Sequence, residues 1–155
     1  MDDASETAGV LAPPPLIFAA PLVAALAASR FVPLPALPSV PSRMAGAGLL
    51  AAAAALGPPA FRRMRAGGTN VNPYRPTIAI IDEGPFRYSR NPMYVSMALI
   101  YAGTSLLARK TLPFLLLPGV LAVMHGGVIA REEAYLERKF GAPYLAYKSR
   151  VRRWL

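Results

Sequence analysis

Apolar residues fill four stretches of the chain, near residues 13–31, 44–61, 92–108 and 111–130. Polar or proline-rich segments separate them. A helix needs roughly 17 to 25 residues to cross a hydrocarbon core of about 30 Å, and all four stretches reach or approach that length. We therefore predict an all-α fold: a multi-span helical integral membrane protein with about four transmembrane helices, a C-terminal helical hairpin and a cytoplasmic tail.

The segments between these stretches predict how the helices connect. Residues 32–42 contain four prolines and almost no polar side chains, which is typical of a stiff, extended link. Pro58–Pro59 is expected to end the second helix, because proline removes a helical hydrogen bond. Arg109–Lys110 leaves almost no loop between the third and fourth helices, so we expect a tight antiparallel hairpin. The fourth helix should continue out of the membrane until Gly141 stops it.

Composition sets the class of protein. The 155 residues are 54% apolar, and the mean hydropathy is +0.36. These values fit one membrane domain over residues 1–155, with a two-helix part at 13–61 and a more polar part at 62–155. Cysteine is absent, which excludes thiolate chemistry. The single histidine, His125, cannot build a zinc site without carboxylate help, so we expect no metal.

The net charge of +9 is distributed unevenly. Thirteen of the 17 basic residues lie within residues 62–92 and 131–155. If four helices cross the membrane, these two regions lie on one side, and the positive-inside rule places that side in the cytoplasm. We therefore predict a multi-pass protein of the cell (cytoplasmic) membrane, with both termini and the 62–92 loop cytoplasmic. Basic charge at this position contacts anionic lipid, so membrane lipids are expected partners and nucleic acid is not.

The long polar loop before the third helix carries a candidate anion site. Loops of this length in compact proteins are usually functional or disordered, and the aromatic and turn residues here favour function. Arg87 and Arg90 lie just before Asn91-Pro92, where the third helix begins. Free amide groups and the positive end of the helix dipole favour a carboxylate or phosphate there. The alternative is that the two arginines only bind lipid head groups.

A second candidate site follows on the fourth helix. His125, Ile129, Glu132 and Glu133 are spaced so that they share one helical face, which changes from imidazole to carboxylate as it leaves the bilayer. An ionisable group inside a membrane suggests function. Equally, the histidine could form an interhelical hydrogen bond, and the glutamates could be a solvated pair balanced by nearby basic residues. A ligand with a carboxylate and positive charges, such as S-adenosylmethionine, suits both sites.

The residues around these two sites resemble a known family. The run GPFRYSRNPMY at 84–94 is followed, after one hairpin, by EEAYL at 132–136. Phe140-Gly141, two tyrosines and Val151-Arg152-Arg153 complete the pattern. Together they resemble the isoprenylcysteine carboxyl methyltransferase family and its phospholipid methyltransferase relatives, over roughly residues 65–155. The resemblance implies an integral membrane enzyme whose cofactor-binding catalytic part, 62–155, encloses S-adenosylmethionine between the loop, the hairpin and the tail.

The resemblance also implies which residues bind the cofactor. The family's arginine-histidine-proline-x-tyrosine element falls on residues 90–94, and its glutamate pair falls on 132–133. Asn91 stands where the family has histidine, and an asparagine forms hydrogen bonds but carries no proton for acid or base catalysis. The expected cofactor-binding residues are Arg87, Arg90, Asn91, Pro92, Tyr94, His125, Glu132, Glu133, Tyr144 and Tyr147.

The chemistry that the resemblance implies is methyl transfer from a sulfonium by in-line displacement, which an enzyme promotes mainly by alignment and exclusion of water. A carboxylate acceptor needs no base, whereas a thiol, amine or hydroxyl acceptor benefits from one. The expected catalytic residues are His125, Arg131 and Glu133. The acceptor is a lipophilic or small molecule that reaches the methyl group from the bilayer, between the third and fourth helices, or from the cytoplasm.

Two other functions are compatible with the sequence. NADPH-dependent membrane sterol reductases look similar over the same C-terminal region, although they are usually much larger. A non-catalytic membrane scaffold or lipid-binding protein would have the same helices without a cofactor.

Overall fold

The structure of the chain is a computed structural model that describes residues 7–70 and 74–155, and in these ranges it is helical with no β-strand. A 3₁₀ helix, Gly84–Arg87, precedes the third helix, and a π-helical turn, His125–Ile129, joins the fourth helix to the fifth without a break. The all-α prediction is confirmed for these residues. The α-helices are α1 (Pro14–Ala28), α2 (Ser39–Ala66), α3 (Pro92–Leu107), α4 (Thr111–Met124), α5 (Ala130–Phe140) and α6 (Ala142–Arg150).

Two of the helices are long and apolar enough to cross a membrane. These are α2, with 28 residues, and the continuous helix Thr111–Phe140, with 30 residues. Only 17% and 28% of their apolar windows are buried inside the protein, which suits helices that face lipid. The apolar helices α1 and α3 have 15 and 16 residues and span about 22 and 24 Å, less than a full hydrocarbon core. The helical membrane class is thus supported, and four crossings stay a prediction.

The predicted end of α2 at Pro58–Pro59 is wrong, because the helix continues to Ala66. Proline removes the amide donors to the carbonyls of Ala54 and Ala55, but a helix that is packed against a neighbour can continue through it. Here α2 packs against α3 beside the two prolines, where the Ser96 hydroxyl donates a hydrogen bond of 3.0 Å to the carbonyl of Ala53. Gly57 allows this approach, since a Cβ there would lie 2.5 Å from the Ser96 oxygen.

The predicted tight hairpin between α3 and α4 is confirmed. The turn uses Arg109, which has a left-handed φ of 55°. The proline-rich segment before α2 packs against this turn, where Arg109 Nε donates to the carbonyl of Leu37 at 2.8 Å and the Thr111 hydroxyl donates to the carbonyl of Pro35. The link therefore closes one end of the helix bundle.

The close contact between α2 and α3 fixes the centre of the bundle. Gly46 and Gly103 face each other, and because neither has a side chain, the backbones of α2 and α3 come close together. Helices α1, α3 and α4 contribute a second group of buried side chains, which includes Phe18, Tyr101 and Met124. Gly46 thus serves helix packing, whereas a Cβ at Gly48 would meet no atom within 4 Å.

The opposite end of the bundle gathers the polar segments. The continuous helix ends at Phe140, and Gly141, with φ of 58°, turns the chain into α6 as predicted. After α6, residues 151–155 fold back against the start of α3, where the amide of Arg90 donates to the carbonyl of Arg152 at 2.8 Å. The start of α1 and the loop after α2 meet the same end, and together these segments enclose a cavity.

The glycine contact gives a first prediction. Gly46→Ala should lower the free energy of unfolding by about 1–3 kcal/mol, because the added Cβ would lie 2.8 Å from the carbonyl oxygen of Gly103 and the two backbones must separate. Gly48→Ala, on the same helix, meets no atom within 4 Å and serves as the control. Thermal unfolding in detergent measures the difference. Equal midpoints for the two variants would contradict the close approach.

Candidate functional site

The cavity at the polar end of the bundle has a volume of about 550 Å³. Its wall is mainly apolar, with a few polar groups, which is the usual character of a small-molecule site. Six segments contribute to it: the start of α1, the end of α2, the loop after α2, the start of α3, α5 and α6. The loop was expected to be functional from its length and composition, and its described residues that line the cavity are Thr69, Asn70, Tyr74, Thr77, 79–81 and Phe86.

A buried carboxylate on α5 links the start of α3 to the C-terminal tail. Glu133, on α5, has only 7% of its side chain exposed and accepts hydrogen bonds from two arginines. Arg90 Nη2, before α3, lies 2.6 Å from Glu133 Oε1. Arg153, in the C-terminal tail, binds both oxygens, with Nε 2.8 Å from Oε1 and Nη2 2.6 Å from Oε2. Such forked contacts are strong and fix geometry, so this carboxylate is compensated in charge and held in place.

The segment before α3 also holds the backbone of the tail. Arg90 Nη1 donates to the carbonyls of Lys148 and Val151 at 2.9 and 3.0 Å. Asn91 Nδ2 donates to the carbonyl of Arg153 at 2.9 Å, and the buried Ser89 hydroxyl reaches the same oxygen at 3.3 Å. Asn91 therefore acts here as a hydrogen-bond donor, a role that requires no proton transfer.

Glu132, the neighbour of Glu133, has a different environment. It lines the cavity and accepts a hydrogen bond of 2.7 Å from the hydroxyl of Tyr94, which also lines the cavity. Among residues 7–70 and 74–155, no basic side chain forms an ion pair with it. Its carboxylate is thus available to a cationic group, which the carboxylate of Glu133 is not.

Two tyrosines of α6 form another part of the wall. Tyr144 and Tyr147 are buried and pack edge to face, with ring centroids 6.2 Å apart. The hydroxyl of Tyr147 donates to the carbonyl of Phe86 at 2.8 Å. Burial raises the pKa of Tyr144 to about 12 and raises the pKa of Tyr147 as well, so both phenols stay protonated at neutral pH.

Eight of the expected site residues line the cavity together: Arg90, Asn91, Pro92, Tyr94, Glu132, Glu133, Tyr144 and Tyr147. Three expected residues lie outside it. Arg87 is exposed on the 3₁₀ helix, and Arg131 is exposed and donates from Nη1 to the carbonyl of Gly9 at 2.7 Å. His125 is exposed, and its Nε2 lies 2.7 Å from Arg153 Nη1.

The π turn explains the position of His125. The spacing argument assumed a continuous α-helix, in which His125 stacks on Ile129 and Glu133. In the π turn the amide of Ala130 bonds to the carbonyl of His125, five residues back, so the histidine stacks on exposed Ala130 while Ile129 is fully buried. Of the residues predicted to share one face, Ile129 is displaced from His125, whereas His125 and Glu133 both contact the guanidinium of Arg153.

Three contributions to the site were not among the expected residues. Arg153 and Tyr135 both belong to motifs quoted for the family resemblance, but the sequence carries no signal of their partners. The Tyr135 hydroxyl accepts from the amide of Thr77 at 3.2 Å and so holds the loop against α5. The third contribution is the proline run 13–15, which lines the cavity and was expected only as the beginning of the first apolar stretch.

Comparisons with known proteins agree with this arrangement. The family model described as phospholipid methyltransferase matches residues 41–143, about two thirds of the chain. An uncharacterized protein of Haemophilus influenzae is 44% identical over 63 residues, which cover 41% of this chain and 100% of that one. No solved structure shows a significant match.

The family model confirms the resemblance drawn from the motifs and changes its limits. The match includes α2 from residue 41 and ends at 143, so the start of the chain, most of α6 and the tail lie beyond it. On this match the chain belongs to the phospholipid methyltransferase family of membrane methyltransferases.

Proposed function

We propose that this protein is an integral membrane methyltransferase that binds S-adenosylmethionine in the cavity and transfers its methyl group to a lipophilic or small carboxylate, thiol or amine acceptor. One observation carries the proposal: Arg90 and Glu132 line the same cavity with unmet electrostatic needs of opposite sign. The Nε group of Arg90 has no hydrogen-bond acceptor, and the carboxylate of Glu132 has no basic partner, among the described residues.

The Arg90 group favours an anion. Its Nε–H is buried and has no acceptor among the described residues, although both Nη atoms are engaged. An unpaired buried donor costs roughly 1–3 kcal/mol, and a ligand carboxylate would remove that cost. The amino-acid carboxylate of S-adenosylmethionine is a group of this kind.

The Glu132 group favours a cation. Its carboxylate lies in a mainly apolar wall with a tyrosine hydroxyl as its one hydrogen-bond partner among the described residues. A buried carboxylate without a basic neighbour attracts positive charge strongly, because little water screens it. The ammonium and sulfonium groups of S-adenosylmethionine supply such charge, and the aromatic rings of Phe86, Tyr144 and Tyr147 offer surfaces for its adenine.

In this site the cofactor would supply an electrophilic methyl group on sulfur. The chain contributes alignment through Arg90 and Glu132, and exclusion of water through the apolar wall. Glu133 holds the segments together through its two arginines, so we assign it a positioning role. His125 and Arg131 lie outside the cavity, and where an acceptor must lose a proton, Glu132 is the carboxylate placed to receive it.

The other functions considered are weaker. The family match favours a methyltransferase over an NADPH-dependent reductase. A cavity that contains both Arg90 and Glu132 suits a charged ligand, which a non-catalytic scaffold would not need. The basic residues concentrate at the cavity end, so we propose that this end faces the cytoplasm and draws its cofactor from there.

A methyl-transfer assay tests the function directly. Membranes that contain the protein should transfer a labelled methyl group from S-adenosylmethionine to an acceptor that mass spectrometry can identify, and control membranes should not. Calorimetric titration of the purified protein should detect binding of S-adenosylhomocysteine. Binding of NADPH with no binding of S-adenosylhomocysteine would end the methyltransferase proposal in favour of the reductase.

The two neighbouring glutamates give a matched pair of variants. Glu132→Gln keeps an acceptor for Tyr94 but removes the charge, so affinity for S-adenosylmethionine should fall at least tenfold with little change in stability. Glu133→Gln leaves two arginines facing a neutral amide and should cost about 3 kcal/mol of stability. Calorimetry and thermal unfolding separate the two effects. A Glu132→Gln variant with native affinity would show that this carboxylate does not contact the cofactor.

The role of Asn91 can be tested against the residue usual in the family. Asn91→His keeps a donor for the carbonyl of Arg153, so activity should stay within a few-fold of the original and its pH profile should keep its shape. In the present protein Asn91 Nδ2 lies 2.9 Å from that carbonyl oxygen. Asn91→Asp would put a carboxylate oxygen in place of this donor, and because two acceptors repel each other, activity should fall at least tenfold. A new ionisation in the pH profile of Asn91→His would indicate proton transfer at this position.

A further inference from the structure

The chain before α1 lies across the helix that carries the glutamates. We refer to residues 8–15, of which the last two are the first residues of α1, as the N-terminal strap. The amide of Leu11 donates to the carbonyl of Gly127 at 3.0 Å, and Arg131 Nη1 donates to the carbonyl of Gly9 at 2.7 Å. Between these bonds the side chain of Val10 is buried in the core cluster with Met124. The strap is thus fastened at two points and packed at a third.

The π turn provides the surface to which the strap is fastened. Gly127 has no side chain, and a Cβ there would lie 3.2 Å from Cδ2 and 3.3 Å from Cβ of Leu11. Gly126, one residue earlier in the same turn, has no atom within 4 Å of its corresponding position. The glycine at 127, and not the one at 126, is therefore what allows the strap to lie against the helix.

The end of the strap forms part of the cavity wall. Residues 13–15 are three prolines, which have fixed backbone angles and no amide hydrogen to donate. They make a stiff, apolar surface and offer no side-chain charge to a cofactor. The polar groups of the cavity come instead from α3 and α5, and the tyrosines come from α6. The strap leads directly into the apolar helix α1.

We propose that the N-terminal strap selects the methyl acceptor by closing the bilayer side of the cavity. This inference rests on the proposed function, since it takes the charged part of the cavity as the cofactor site and the proline-lined part as the acceptor site. The acceptor class is a molecule with an apolar chain, and the anchorage of the strap on the π turn sets how large a chain is admitted. The strap lies outside the residues matched by the family model, which suits an element that differs between members with different acceptors.

The test compares Gly127→Ala with Gly126→Ala in the full chain. The probes are aza analogues of S-adenosylmethionine, in which nitrogen replaces sulfur and carries a methyl or an octyl group. The octyl chain occupies the space next to the transferred methyl whatever the acceptor chemistry is. Gly127→Ala should bind the methyl analogue within twofold of the original protein and improve the ratio of octyl to methyl affinity at least fivefold. Gly126→Ala should leave both affinities unchanged.

Hydrogen exchange reports the position of the strap independently of binding. The amide of Leu11 should exchange at least tenfold faster in Gly127→Ala, and Arg131→Ala, which removes the other bond, should act in the same direction. Faster exchange with an unchanged affinity ratio would overturn the selection proposal. Native exchange rates in both variants would overturn the anchorage on which it depends. Failure of the original protein to bind the methyl analogue would instead count against the proposed cofactor.

Discussion

The contact between Glu133 and its two arginines is the interaction on which the site depends. Glu133 and Arg90 are 43 residues apart in the chain, and Glu133 and Arg153 are 20 apart. A carboxylate buried to this degree is costly unless its charge and hydrogen bonds are satisfied. Because each partner comes from a different segment, satisfying the charge brings the start of α3, the helix α5 and the tail into one fixed arrangement. The cavity is the space that this arrangement encloses.

The two adjacent glutamates divide two tasks between them. Successive residues of a helix point in directions about 100° apart, so a pair of carboxylates cannot serve one partner from the same side. Glu133 points toward the arginines, and Glu132 points into the cavity with Tyr94. A single glutamate could not both hold the segments together and remain free for a ligand. We therefore propose that Glu133 has a structural role and that Glu132 faces the ligand, whereas the sequence motifs assigned both to the cofactor.

Local signals predicted much of the fold, while the site required knowledge of distant contacts. The hairpin turn and the stop at Gly141 follow from short-range geometry, and the structure has both. No local pattern predicted that α2 continues through Pro58–Pro59, where the helix packs against α3 at Ser96. Most of the expected cofactor-binding residues do line the cavity, and the family motifs are what made it possible to predict them. Arg153 was not expected there, since its role depends on the tail folding back over the start of α3.

The π turn shows how a small change in helix register can serve several parts of a structure. A π turn has poorer backbone geometry than an α turn and persists where its surroundings compensate. Here the compensation is visible: the carbonyl of Gly127 accepts the amide of Leu11, and His125, moved off the buried face, meets Arg153. In a regular α-helix the residue stacked on His125 would be buried Ile129, whereas the π turn stacks it on exposed Ala130. The next α turn then brings Glu133 to the side of His125, so the guanidinium of Arg153 contacts both residues and ties the end of the apolar helix to the tail that borders the site.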